Sequence, residues 1–597
     1  MNIKFSAARH NRASSTQSVG SHARRSVVRQ TPSYVPCARV IVGLLFVAGS
    51  AKFSFAQEFE PREFEARAAR HERHAATGQA EARAERHARA AAAVHGHHRH
   101  RINATTTATS TTATATNPTT QKSPPPAGGD PKWTGLGGNV NWSTGGNWDS
   151  TPNPPTSSAT TDLVFAGTTN TGTSGIPLNQ DIATPMNLRS ITFDATAGNF
   201  FLGGGQIGNG NGTTLTITQS SSNTQNIANA ITQTATTSNG TMTLTLAATT
   251  SGTVTLSGVI SDNSGNPNRK IAIAANGGTF ILSGNNTYTA GTTISGGTLE
   301  FAKTNSMPSA GSVSVSSGAT LAVNVGGTGE WTNGTSGGGT LGGLISGTGG
   351  QGTANQVSWA SGSVLGIDTT NASGGNFTYG GVIGSFRTGG NSVGLTKLGS
   401  NTLTLTAANT YTGGTTVNGG TLLVNGSTAS GSAVTVNNSG TLLGGTGTVG
   451  GATTINGPAG ITGATNGTVG TLTLGSTLAF SGSSGNLAKY FVDLSGATSD
   501  KLAITSSLNL SGAFDAISFS GTANGTTTYV LATYASHTGT FDTVTNLPSG
   551  YQLVYGATAL DLVPVPEPST WIAGALALAS LVFTQRRRIL HFRKRRL

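Results

Sequence analysis

The feature that most limits what this chain can fold into is an internal repeat. Residues 278–301 read GTFILSGNNTYTAGTTISGGTLEF, and residues 401–424 read NTLTLTAANTYTGGTTVNGGTLLV. Asn286-Thr287-Tyr288-Thr289 recurs as Asn409-Thr410-Tyr411-Thr412, and Gly296-Gly297-Thr298-Leu299 as Gly419-Gly420-Thr421-Leu422. A related segment follows each copy, at 311–321 and 431–442. Runs such as Thr402-Leu403-Thr404-Leu405-Thr406 alternate with period two, so each makes a strand with one apolar face. Asn-Gly, Gly-Gly and Ser-Gly pairs between the runs supply the positive φ of tight turns. Such strand–turn units stack well as parallel coils, with Leu, Val, Ile and Phe inside and Thr and Asn outside, laddering from coil to coil. The expected body is therefore an all-β parallel solenoid. Alternation does not fix strand direction, so a series of antiparallel sandwiches is the rival.

Five regions follow from shifts in composition: 1–56, 57–129, 130–475, 476–563 and 564–597. The net charge of +12 belongs to the two ends. Residues 1–39 carry seven Lys/Arg and no acid, and the last twelve residues carry seven more. Between Asp130 and Val563 there are nine Lys/Arg against fourteen Asp/Glu, a mildly acidic body without the basic stripe that nucleic-acid binding requires. The single cysteine, Cys37, precedes an apolar run and is expected to leave with a leader, so disulfides are not expected in the mature chain.

The leader is read from Val40–Ala51, twelve apolar residues behind a basic segment and ahead of Ser54-Phe55-Ala56, a small-x-small site. That is the anatomy of a secretory signal peptide cleaved between Ala56 and Gln57. Residues 57–129 form a charged Ala/Arg/Glu/His arm followed by a Thr/Pro-rich linker. Glu63/Arg67 and Glu85/Arg89 support a solvated helix. Seven histidines between His71 and His100 offer soft metal ligands as the alternative to a plain charged arm.

At the other end, Val565, Pro566, Glu567, Pro568 and Ser569 precede a wholly apolar run with Trp571, Ile572, Leu576, Leu578, Leu581, Val582 and Phe583. Arg586, Arg587 and Arg588 follow as a basic stop. The prolines are expected to hold the motif extended. The apolar run should form a short helix, thirteen residues where a comfortable span needs ~20. This ending resembles the PEP-CTERM sorting signal, whose V-P-E-P-[ST] motif is matched at Val565–Ser569. The resemblance implies secretion machinery, transient residence in the inner membrane of a Gram-negative-type cell, and processing by an exosortase-like enzyme.

The repeats resemble the autotransporter-associated β-strand repeat, matched at Gly394-Leu395-Thr396-Lys397, Thr402-Leu403 and 409–416. That resemblance implies a right-handed parallel β-helix displayed at the cell surface. The sorting tail stands where such proteins carry a translocator barrel, so self-translocation is not part of the expectation. Residues 476–563 are poorer in glycine and are expected to be terminal coils and a cap.

Chemistry is sparse in the body. Its acids are scattered, Asp493 and Asp500 being the closest grouping of note, and His537 is its lone histidine. No zinc spacing, nucleophile elbow or phosphate loop is present. Neither a catalytic residue nor a cofactor is assigned. Trp133, Trp142 and Trp148 have two readings: a lid over the open end of the strand stack, or a platform for glycans. The expected role is an exported structural or adhesive surface protein that contacts extracellular polysaccharide. The alternatives are a carbohydrate-binding module built on the three tryptophans and a polysaccharide-active β-helix enzyme.

Overall fold

The computed structural model describes residues 130–149, 154–210, 212–236, 239–350, 356–566 and 568–594. The expected leader, its expected cleavage site at Ala56–Gln57 and the expected charged arm lie outside the described residues.

Strand direction is settled in favour of the solenoid. One sheet of fifteen strands runs the length of the body, from Leu178–Gln180 to Ser536–Gly539, and every neighbouring pair in it is parallel. A nine-stranded sheet from Lys132–Trp133 to Gln356–Trp359 flanks its first half, and a second nine-stranded sheet from Asn376–Tyr379 to Thr543–Thr545 flanks its second half. Smaller sheets close a third side near each end. Where a coil has two faces it is short: Ile273 lies beside Thr292, nineteen positions on, and Thr415 beside Val434. Where a third face is added the coil lengthens, as from Thr214 to Thr243.

The period-two pattern decides the packing. Leu403 and Leu405 point inward and are buried, as are Leu422, Val424, Leu299 and Phe301 in the matching strands. Outside, Asn437 donates to Asn418 Oδ1 at 2.9 Å, and Asn456 donates to Asn437 Oδ1 at 2.8 Å. This is an asparagine ladder across three successive coils.

The two repeat copies do not occupy the same faces. In the first copy, Arg269–Asn276 and Thr292–Ile294 lie on the first nine-stranded sheet, while Thr279–Leu282 and Thr298–Phe301 lie on the fifteen-stranded one. In the second copy, the strands equivalent to the former pair, Gly394–Leu398 and Thr415–Val417, lie on the fifteen-stranded sheet. Thr402–Leu405 and Thr421–Val424 lie on the second nine-stranded sheet, directly after Asn376–Tyr379. The chain has turned by one face between the copies. Two long coils produce the turn: Val364 lies beside Thr320, forty-four residues on, and Gly394 beside Val364, thirty on. The first of these carries a one-turn helix, Leu341–Ile345, capped by the Thr340 hydroxyl accepting from Gly343 N at 3.0 Å. Together with the loop at Phe386–Gly390 it covers the last edge of the first sheet. Trp359 Nε1 donates to Leu344 O at 3.3 Å, Trp359 N donates to Arg387 O, and the Trp359 and Phe386 rings meet at 5.3 Å.

The body ends by changing strand direction. Tyr529–Thr533, Ala559–Pro564 and Tyr551–Tyr555 pair antiparallel. A helix follows from Pro568 to Lys594.

Candidate functional site

Trp133, Trp142 and Trp148 come together at the first coil, where the strand stack begins, and all three are buried. Trp133 and Trp148 meet edge to face at 5.2 Å, and Trp142 and Trp148 at 6.1 Å. All three rings pack on Phe165, which continues the aromatic column to Phe193 and Phe200. Trp133 Nε1 donates to Asn170 O at 3.1 Å, and Trp148 Nε1 to Trp142 O at 2.8 Å. Asn147, also buried, fastens the loop: its amide donates to the carbonyls of Asn139 and Asn141, and its Oδ1 accepts from Gly137 N. With relative exposures of 1%, 0% and 3%, the indole faces are spent on one another and leave no platform open to a sugar.

The repeat motif acquires a geometry. Asn409 Oδ1 accepts from Ile383 N on the preceding coil at 2.9 Å, while its amide donates to Ser427 O on the following coil at 3.0 Å. Asn286 does the same between Ile260 N and Ser306 O. Tyr411, fully buried, shares a hydrogen bond of 2.8 Å with the Thr415 hydroxyl, and Tyr288 one of 2.7 Å with Thr292. Burial pushes both phenols up, Tyr411 to about 12. The motif is thus a coil-to-coil rivet.

Lys397 and Glu300 are buried ionisable side chains that the period-two pattern does not announce. Lys397 points inward, in register with Ile367 and Val417, a position that alternation marks as apolar. Its ammonium donates to Leu398 O, Gly399 O and Gly419 O at 2.6, 2.9 and 3.0 Å, sealing a coil corner. Burial brings its pKa down to about 8, against a smaller upward pull from Asp368. Glu300 stands on the outer face of the long sheet, is 6% exposed, and has no hydrogen bond or ion pair among the described residues. Burial first, then the charges of Asp368 and Glu330, push its pKa up to about 8. Glu330 itself is satisfied by Lys303 Nζ at 3.0 Å, Asn371 and Gly327 N.

Asp493 and Asp500 do come together. Asp500 is fully buried and accepts from the Thr462 hydroxyl, Gly470 N and Asp493 N. Burial leads the causes that raise its pKa. Asp493 accepts from Gly467 N at 2.5 Å and from the Ser520 hydroxyl. Both carboxyl groups are occupied in tying coils together. Among the described residues, no group of three His, Cys, Asp or Glu side chains is placed to hold a metal ion.

In the tail, Val565 and Pro566 lie between the last strand and the helix and are exposed, and Glu567 lies outside the described residues. The expectation of an extended motif fails after that point. Pro568 opens the helix, in whose first turn a missing N–H costs nothing, and Ser569 lies in that turn. The helix is also longer than the expected short apolar segment. It carries Trp571 and the apolar run, then continues through Arg586, Arg587 and Arg588. Ile572, Leu576, Leu578, Leu581, Val582 and Phe583 are each 56–70% exposed. No helix among the described residues is long and apolar enough to cross a membrane.

Against known families, the model of the passenger-associated-transport-repeat matches residues 274–301 and 395–424, the two copies built around Tyr288 and Tyr411. No curated protein and no solved structure matches the chain. The chain carries two copies of this autotransporter-associated repeat within a parallel β-solenoid.

Proposed function

We propose that the protein is an exported structural and adhesive element of the cell surface or extracellular matrix, addressed by its C-terminal tail. The observation that carries this reading is that both passenger-associated repeats are built into one parallel solenoid, each contributing two strands to the same fifteen-stranded sheet. A repeat of surface passengers here serves as a rod, with an asparagine ladder outside. The burial of Trp133, Trp142 and Trp148 favours this role over a glycan platform at the first coil. The donors that fill Asp493 and Asp500 favour it over carboxylate catalysis. In the tail, an exposed apolar stretch of helix calls for lipid or protein cover, and the arginines beyond it suit the cytoplasmic side of an inner membrane. An exosortase-like enzyme would then meet Val565–Ser569 at the membrane surface.

The test replaces Pro566, Glu567 and Pro568 together by alanine in the producing cell. The expected result is a precursor retained in the inner membrane, with its C-terminal peptide still attached in mass spectra. Normal release and an unchanged mature C-terminus would overturn the sorting assignment. Recovery of the unaltered protein solely from the cytoplasm would overturn the surface role.

A further inference from the structure

We propose that a cleft on the outer face of the second nine-stranded sheet binds an acidic sugar residue of an otherwise neutral polysaccharide. The proposal rests on the surface reading only in that such chains are met outside the cell.

The cleft holds about 400 Å³, the size range of small-ligand sites and ample for one pyranose ring. Its floor follows from register. Leu442, Gly460 and Lys489 lie side by side on three adjacent strands. Gly460 leaves a gap that Phe491 occupies: a Cβ at Gly460 would fall 2.4 Å from the Phe491 ring. Phe491 belongs to the outward set of its strand, between buried Tyr490 and Val492, so a half-buried aromatic ring faces the cleft. Thr421, Ser439, Asn466 and Lys489 add polar side chains, and Gly440, Thr441 and Pro458 complete the lining; among the described residues the side chains of Thr421, Ser439, Asn466 and Lys489 have no hydrogen bond or ion pair.

Unpaired lysines occur elsewhere among the described residues of the body, at Lys270 and Lys501, but the cleft sets Lys489 beside a half-buried aromatic ring and three further polar side chains. Lys132 and Lys303 are paired with Asp194 and Glu330, Lys397 is saturated by carbonyls, and the asparagines of the ladder bond one another. In the cleft, residues bearing an aromatic ring, two hydroxyls, a carboxamide and an ammonium line the same space, and these polar groups have no partner among the described residues. An aromatic face takes the C–H face of a pyranose, hydroxyl and amide groups exchange hydrogen bonds with ring hydroxyls, and one ammonium matches one carboxylate. A phosphate polymer fits less well. There is a single cation, and the surrounding body is net acidic.

The experiment measures binding of the full chain in detergent to three probes: hyaluronan oligosaccharides, in which uronate alternates with a neutral sugar, the same oligosaccharides after carboxyl reduction, and dextran. Hyaluronan binding with little for the other two is expected. Lys489→Gln should weaken it by roughly tenfold or more, the worth of one charge-assisted hydrogen bond, with an unchanged melting temperature. Phe491→Leu, which keeps the gap at Gly460 filled, should weaken all saccharide binding. The proposal is overturned if the wild-type chain does not bind hyaluronan, if carboxyl reduction changes nothing, or if both variants bind like the wild type. Because binding is read on purified protein, its failure is distinct from a failure of the export assignment, which fractionation reads.

Discussion

Each residue that matters in this solenoid is held by neighbours on the coils before and after it, and a charge placed there inherits their environment. Glu300 is the clearest case. Its carboxyl ionises near the ordinary value of 4.5 in the unfolded chain but at about 8 in the fold, because burial and the neighbouring acids Asp368 and Glu330 oppose the charge. Between those values the native state holds a proton that the unfolded state has released. Stability therefore falls as pH rises through that window, and below it the cost disappears. Glu300→Gln keeps the shape and removes the charge. The variant should match the wild type at pH 4 and exceed it at pH 8 by about 4 kcal/mol, read from denaturant melts at both values. Parallel pH profiles for the two proteins would mean that Glu300 is not held protonated.

At the scale of the element, the turn chemistry of the repeat carries the sharpest prediction. Gly420, the second glycine of the Gly-Gly pair, has φ +57°, and a Cβ there would fall 2.3 Å from Asn401 O on the preceding coil. Its counterpart Gly297 has φ +66° and faces Gly278 O at 2.4 Å. Two requirements coincide at one atom: a left-handed backbone and room for a neighbour's carbonyl. Gly420→Ala should cost at least ~2 kcal/mol in urea unfolding. Gly440→Ala, at φ +76° but with open space around it, should cost about 1 kcal/mol. Equal effects would show that the close approach is not what the pair provides.

These glycines also mark how far the sequence could be read. Alternation in Thr402–Leu405 and the Gly-Gly punctuation were visible, and they led to strands, a solenoid and external Asn ladders. The one-face turn between the repeat copies was not visible. It arises from coil length in 325–393, where the helix at Leu341–Ile345 shows no amphipathic period to announce it. Lys397 was matched as part of a motif, but its inward direction was hidden, since alternation reserves that row for apolar side chains. The cleft at Phe491 was invisible because Leu442, Gly460 and Lys489 are adjacent only across coils. Local patterns reveal strands; register, which places residues side by side, depends on loop lengths that carry no local signal.

For the whole molecule, the question is what stops the stack. Parallel coils present the same unsatisfied strand edge at each end, which invites another chain to join. At the far end the antiparallel strands Tyr551–Tyr555 and Ala559–Pro564 break the pattern. At the first coil the closure is made of aromatic mass: three buried indoles on Phe165, around a first strand of two residues, Lys132–Trp133. In a stack each coil touches only its neighbours, so loss of a lid should be felt locally. Trp142→Ala should cost about 3–5 kcal/mol in the coils it covers. Hydrogen exchange should then speed up in Asp162–Phe165 and Ser190–Phe193 while Gly394–Leu398 keeps its protection. Light scattering should show self-association through the uncovered edge. Leu136→Ala, at a residue that is 76% exposed in the same segment, should change neither. A Trp142→Ala chain that stays monomeric and fully protected would show that the indoles are not the lid.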